Sequence, residues 1–145
     1  MTSSLRLSAV ALSGVLCLAG CGKQHDYQLA PVMGVVTLDG EPLGGGRLLF
    51  APVANSGSVK SGRPGFADIQ PDGSYVVSTY GNEDGAVVAD HWVSVLNTEP
   101  DSPAGQRLRV GRVKYPNRQT VAADQENMIS IELTTEILRQ FGSGD

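Results

Sequence analysis

From residue 32 onward the chain is broken every few residues by Gly, Pro and Asp, and the runs between are rich in Val, Ile, Leu, Thr and aromatics. Such runs are too short for an amphipathic helix but long enough for a strand. The first run, at residues 32–38, is closed by Asp39-Gly40, a dipeptide that accepts the positive φ of a tight hairpin turn. Others lie at 47–53, entered through Gly44-Gly45-Gly46, and at 66–70, 75–80, 91–98 and 128–134. A weaker one falls within 109–115 or near 120–123. Pro71-Asp72-Gly73 sits between the third and fourth runs and predicts a hairpin. Alternation supports strands: Ile129, Ile131 and Leu133 share one face, Ser130 and Glu132 the other. In 91–96, His91, Val93 and Val95 alternate with Trp92, Ser94 and Leu96, and the weak polarity contrast leaves the inward side open. Residues 134–141 come nearest to a helical period and predict a short C-terminal helix or a frayed tail. About seven short strands with this turn spacing predict an all-β, Greek-key sandwich or small barrel.

The N-terminus reads differently. Arg6 is the only charged side chain before Lys23, and residues 7–20 between them are apolar or small. That stretch falls short of the ~20 apolar residues that span a bilayer and has the form of a secretory signal. Leu18-Ala19-Gly20-Cys21 then resembles the bacterial lipobox, in which a Cys thiolate takes a diacylglycerol and becomes the first mature residue. At least two acyl chains on Cys21 would hold a folded domain at a membrane surface, where one would bind only marginally. Gly22 differs from the Asp that retains such proteins at the inner membrane. The expected location is therefore the cell envelope, leaning to the periplasmic face of the outer membrane or the cell surface. This divides the chain into a signal peptide at 1–20, a tether at 21–31, a β-sandwich at 32–134 and a C-terminal tail at 135–145.

About 125 residues after cleavage suffice for one core and not for two. The chain carries 11 basic and 15 acidic side chains, an acidic balance that argues against nucleic acid as a partner. Cys17 leaves with the signal and Cys21 is lipidated, so no thiol pair remains for a disulfide. The other metal-ligating type is as scarce: His25 lies in the tether and His91 in a strand, which predicts no zinc or iron site and no cofactor.

Several constellations carry the residue types that chemistry needs. Asp68, Asp72 and Asp84 could supply calcium oxygens, but their spacing is not that of a calcium loop, and turn aspartates commonly bind their own backbone. Asp39 with Glu41, or Glu83 with Asp84, are neighbours on a loop and do not face each other across a cleft as a hydrolase pair must. Ser56, Ser58 and Ser61 lack a nucleophile elbow and a base. His91 within a strand reads as a half-buried, hydrogen-bonded histidine. No catalytic residue emerges. Arg107, Arg109, Arg112, Lys114 and Arg118 make up nearly half of the 11 basic side chains, behind a lead-in of Pro100, Pro103 and Gly105 that suggests a long loop. They read either as a solvated loop balancing nearby carboxylates or as a patch for an anionic ligand.

Residues 35–46, with Asp39-Gly40-Glu41-Pro42-Leu43, resemble the opening of carboxypeptidase-regulatory-like, transthyretin-like β-sandwich domains. Ala67 to Tyr75, a strand, a "DG" turn and then Tyr, resembles their second signature. Asp84-Gly85-Ala86 and Lys114-Tyr115-Pro116 resemble small envelope lipoproteins of planctomycete-type bacteria. The resemblance spans roughly residues 31–133 and implies an Ig-like or transthyretin-like Greek-key sandwich; it says little of activity. Gln70 and Pro71 stand where relatives often carry Asp, Ala or Glu, against a calcium loop at that hairpin. Enzymes of related sandwiches need features this chain lacks. The hydroxyisourate hydrolases end in Tyr-Arg-Gly-Ser, where this chain ends Phe141-Gly142-Ser143-Gly144-Asp145, and the intradiol dioxygenases bind iron with two Tyr and two His, where this chain has His91 and a His25 that falls in the expected tether. Lys60 and Lys114 are poorly placed for an isopeptide bond.

The expected function is a non-enzymatic binding or structural module, anchored to the membrane through Cys21, with an envelope polysaccharide or a protein as partner. The alternative is an accessory subunit of an envelope enzyme or transport complex, or a cryptic hydrolase.

Overall fold

The computed structural model of the chain describes residues 26–144, so the signal segment and Cys21 lie outside the described residues. In chain order the strands are β1 (Leu29–Ala30), β2 (Val32–Leu38), β3 (Glu41–Pro42), β4 (Arg47–Pro52), β5 (Gly65–Asp68), β6 (Ser74–Val76), β7 (Ala86–Val87) and β8 (Asp90–Leu96). Helix α1 (Pro103–Leu108) follows, then β9 (Arg112–Lys114), β10 (Gln119–Thr120), β11 (Asn127–Met128), β12 (Ile131–Leu133), α2 (Thr135–Phe141) and β13 (Gly142–Ser143).

These strands form an all-β sandwich. One sheet runs β13-β9-β8-β4-β5, with β10 also on β8. The other is centred on β2, which pairs antiparallel with β3 and β6 and parallel with β11 and β12. The small β1-β7 pair adds to these, and a bridge from Phe66 to Ser78 links β5 to the chain just past β6. Inward side chains of both sheets, among them Val36, Leu48, Phe50, Tyr75, Val95 and Ile131, are buried to 2 % exposure or less and form one core.

The strands are more numerous and shorter than the runs in the sequence suggest, because two partner strands are interrupted. On β8, β9 and β10 occupy the same edge, and the chain leaves it at Pro116, which has no N–H to give a ladder. Beside β2, the break between β11 and β12 at Ile129-Ser130 turns the Ile129 carbonyl toward Gly34. A Cβ at Gly34 would collide with that oxygen, and the Tyr75 hydroxyl donates to it. The Asp39-Gly40 turn forms as expected between β2 and β3, with φ of 52° and 83°. The Asp39 carboxylate also accepts from the Thr135 N–H at 2.9 Å and its hydroxyl at 2.7 Å, which holds down the start of α2.

Three segments depart from the sequence reading. The long loop expected around residues 100–111 contains α1, begun by Ser102, whose Oγ accepts from the Gly105 N–H at 3.0 Å, and by Pro103. Residues 135–143, expected as a tail with at most a short helix, form α2 and then β13, which pairs with β9; Leu138 is buried in the core. The tether, expected to reach residue 31, gives way to the sandwich earlier, since β1 pairs with β7 and Ala30 is 1 % exposed.

Candidate functional site

Strand β8 decides which of its two apolar faces is the core. His91, Val93 and Val95 point inward and are fully buried, while Trp92 and Leu96 remain partly exposed on the outer face. Register then fixes what stands beside them. Ser94 lies opposite Lys114 and Leu96 opposite Arg112, so the long side chains of β9 share the face of Trp92. Lys114 Nζ is 4.1 Å from the centroid of the Trp92 ring, and the Arg118 guanidinium carbon is 4.8 Å away, carried there by the excursion of 116–118 between β9 and β10. Arg112 donates to the Ser94 hydroxyl at 3.0 Å. The result is a corner of three exposed cations beside a partly exposed indole: Lys114 and Arg118 lie over the ring, attracted to its negative face, and Arg112 stands alongside on Ser94.

The fold therefore divides the basic segment. Arg112, Lys114 and Arg118 converge. Arg107 is turned the other way by α1 and donates to the carbonyls of Pro42 at 2.9 Å and Leu38 at 3.1 Å, with Glu41 at 3.6 Å. It clamps the β2-β3 turn. Arg109 ends α1 in a left-handed conformation, φ 59°, exposed beside a groove of about 940 Å³ between the two helices.

The outer face continues across the sheet. Leu49 is the neighbour of Ser94 on one side and of Phe66 on the other, and Arg47 lies between Leu96 and Asp68. Arg47 and Asp68 form an ion pair at 2.7 Å. Beyond them, where β5 and β6 part, opens a concavity of about 520 Å³ whose walls include Phe66, Gln70, Asn82 and Glu83. Phe66 is 41 % exposed beside it, and nothing in the local sequence marks it or Trp92 as a surface residue.

The carboxylates considered for metal are engaged singly. Asp72 accepts from the Ser74 N–H and hydroxyl, at 2.9 and 2.6 Å. Asp84 accepts from three backbone N–H groups, of Thr79, Tyr80 and Gly81; burial works to raise its pKa, but these bonds outweigh it and hold it below the usual carboxylate range. Among the described residues no three of His, Cys, Asp and Glu come together as a metal site. His91 sits at 0 % exposure rather than half-buried: Nε2 bonds the Val87 carbonyl at 2.7 Å, Nδ1 has no hydrogen-bond partner, and burial depresses its pKa. A buried, neutral imidazole with no route to a surface substrate is a core residue.

The chain matches no protein-family model, no curated protein and no solved structure. No helix among the described residues is long and apolar enough to cross a membrane.

Proposed function

We propose that this protein is a non-enzymatic binding module of the bacterial cell envelope, anchored by lipid on Cys21, that takes an anionic envelope polymer on the outer face around Trp92. The observation that carries the binding role is the clustering of Lys114 and Arg118 on the partly exposed Trp92 indole, with Arg112 beside them on Ser94, in a chain of net charge −4. Local positive potential in an acidic protein favours a polyanion at that corner and repels it elsewhere. The anchor rests on Leu18-Ala19-Gly20-Cys21 behind an apolar segment. Kinship with carboxypeptidase-regulatory-like, transthyretin-like sandwiches rests on the Asp39–Leu43 and Asp72–Tyr75 motifs.

Titration of the full chain in detergent with polygalacturonate tests the binding role. Changing Arg112, Lys114 and Arg118 together to Ser should weaken binding at least about tenfold, and raising salt should do the same, since exposed charges are screened over about 3 Å at 1 M. Arg109→Ser should leave it unchanged. Equal binding by the triple variant would refute the proposal. For the anchor, Cys21→Ser should leave an unlipidated precursor; an acyl-free native mature chain by intact mass would refute it.

A further inference from the structure

The concavity between β5 and β6 is separate from the cationic corner, yet both open on the same sheet face. Cross-strand register makes a row from Lys114 through Ser94 and Leu49 to Phe66. Three inter-strand spacings place its ends about 14 Å apart. At the corner the chemistry is charge on an indole. At the concavity it changes: Phe66 offers an exposed apolar ring, and Asp68, Gln70, Asn82 and Glu83 surround it with hydroxyl-binding oxygens and amide N–H donors. Of these, Asp68 is held in place by Arg47 at 2.7 Å. A flat ring beside planar amides and carboxylates suits a pyranose, whose C–H face packs on the ring while its hydroxyls donate and accept at the rim. A bare polyanion such as polyphosphate or polyglutamate would find two carboxylates there and be repelled.

We infer that the polymer is a linear acidic glycan lying across the strands, its carboxylates on Arg112, Lys114 and Arg118 and a sugar ring seated on Phe66 in the concavity. This rests on the binding role proposed above and adds a second subsite to it. The two subsites make different demands on a ligand. Charge alone satisfies the corner, and ring and hydroxyls alone satisfy the concavity, so a chain of sugar carboxylates satisfies both.

The test compares hexagalacturonate, its uncharged methyl ester and polyglutamate as ligands of the full chain in detergent. Phe66→Ala and Asn82→Ala change exposed side chains outside the core, and circular dichroism would check that each variant is folded. Hexagalacturonate should bind more tightly than polyglutamate and lose about tenfold in affinity in Phe66→Ala, a loss within reach of one ring contact with its polar neighbours. The ester should bind weakly and independently of salt, and Phe66→Ala should abolish that. Polyglutamate binding should be untouched by Phe66→Ala. If hexagalacturonate fails to bind, or both Phe66→Ala and Asn82→Ala leave its affinity unchanged, the glycan subsite is overturned; polyglutamate binding that still needs Arg112, Lys114 and Arg118 would then leave the polyanion reading standing. Conversely, glycan binding that depends on Phe66 and not on the three cations would sustain the subsite and refute the cationic corner.

Discussion

Tyr75→Phe removes one oxygen atom and leaves the ring in place, which isolates a single buried bond. Tyr75 is 2 % exposed, packs against Phe50 with ring centroids 6.0 Å apart, and donates its hydroxyl proton to the Ile129 carbonyl at the break between β11 and β12. In the variant that carbonyl, packed against Gly34, loses the Tyr75 donor. An acceptor stranded in this way costs about 1–3 kcal/mol. For a domain of this size each kcal/mol moves Tm by about 3–6 °C, so a central loss of about 2 kcal/mol lowers Tm by about 6–12 °C. Differential scanning calorimetry at neutral pH measures it. The burial of the same hydroxyl sets an alkaline signature, because it raises the Tyr75 pKa above its ordinary value of 10.0. The folded state then binds the phenolic proton more tightly than the unfolded state. Stability is full below about pH 10 and falls as pH rises beyond it, by at most about 1.4 kcal/mol per unit. Tyr75→Phe should lose that added slope. A Tm within about 2 °C of the parent, with an unchanged alkaline slope, would show that the hydroxyl contributes nothing and that the Ile129 carbonyl is satisfied otherwise.

Gly34→Ala should be more damaging than Tyr75→Phe, because its Cβ meets the Ile129 backbone, which cannot move without opening the β2-β12 pairing; equal Tm by calorimetry would contradict this. His91, depressed in pKa by burial, stays neutral in the fold while the unfolded chain takes up a proton below about pH 6.5. Stability should therefore fall as pH drops below that value, and denaturant titrations of His91→Gln should show a shallower acid decline. Arg107→Ala should destabilise by about 1–2 kcal/mol, since two carbonyls lose a charged donor, while leaving polygalacturonate affinity unchanged; a binding defect with a normal Tm would move Arg107 into the site.

Much of the sandwich follows from local chemistry. Asp39-Gly40 supplies two positive φ angles in succession, and few other pairs do so without strain, so the β2-β3 turn was legible. Ile129, Ile131 and Leu133 against Ser130 and Glu132 gave one apolar and one polar face, and all three apolar residues are buried. Helix α1 left only a Ser-Pro start as its signal, because six residues are too few to show a helical period. The same limit hid the role of residues 142–143, which are strand only because β9 is there to pair with them.

The candidate site is where sequence adjacency and spatial adjacency part. Five basic residues within twelve positions read as one patch, but α1 directs Arg107 back to the β2-β3 turn, while β9 and its register bring Lys114 to Trp92 and Arg112 to Ser94. Trp92 itself stood on a strand with two apolar faces, and an alternation without polarity contrast cannot say which is outside. That choice falls to the partners: Tyr75 of the opposing sheet packs on Phe50, which meets His91 on the inner face of the sheet that carries Trp92, and the other face is left without a covering sheet. Phe66 and Asn82 come to one concavity only because β5 and β6 separate between the Phe66–Ser78 bridge and the hairpin bond from Gln70 to Ser74. Strand period and turn geometry act over a few residues and are written in the chain. Which face is buried, and which distant side chains share a surface, depends on a free-energy comparison over the whole packed domain, and so is decided only when the two sheets meet.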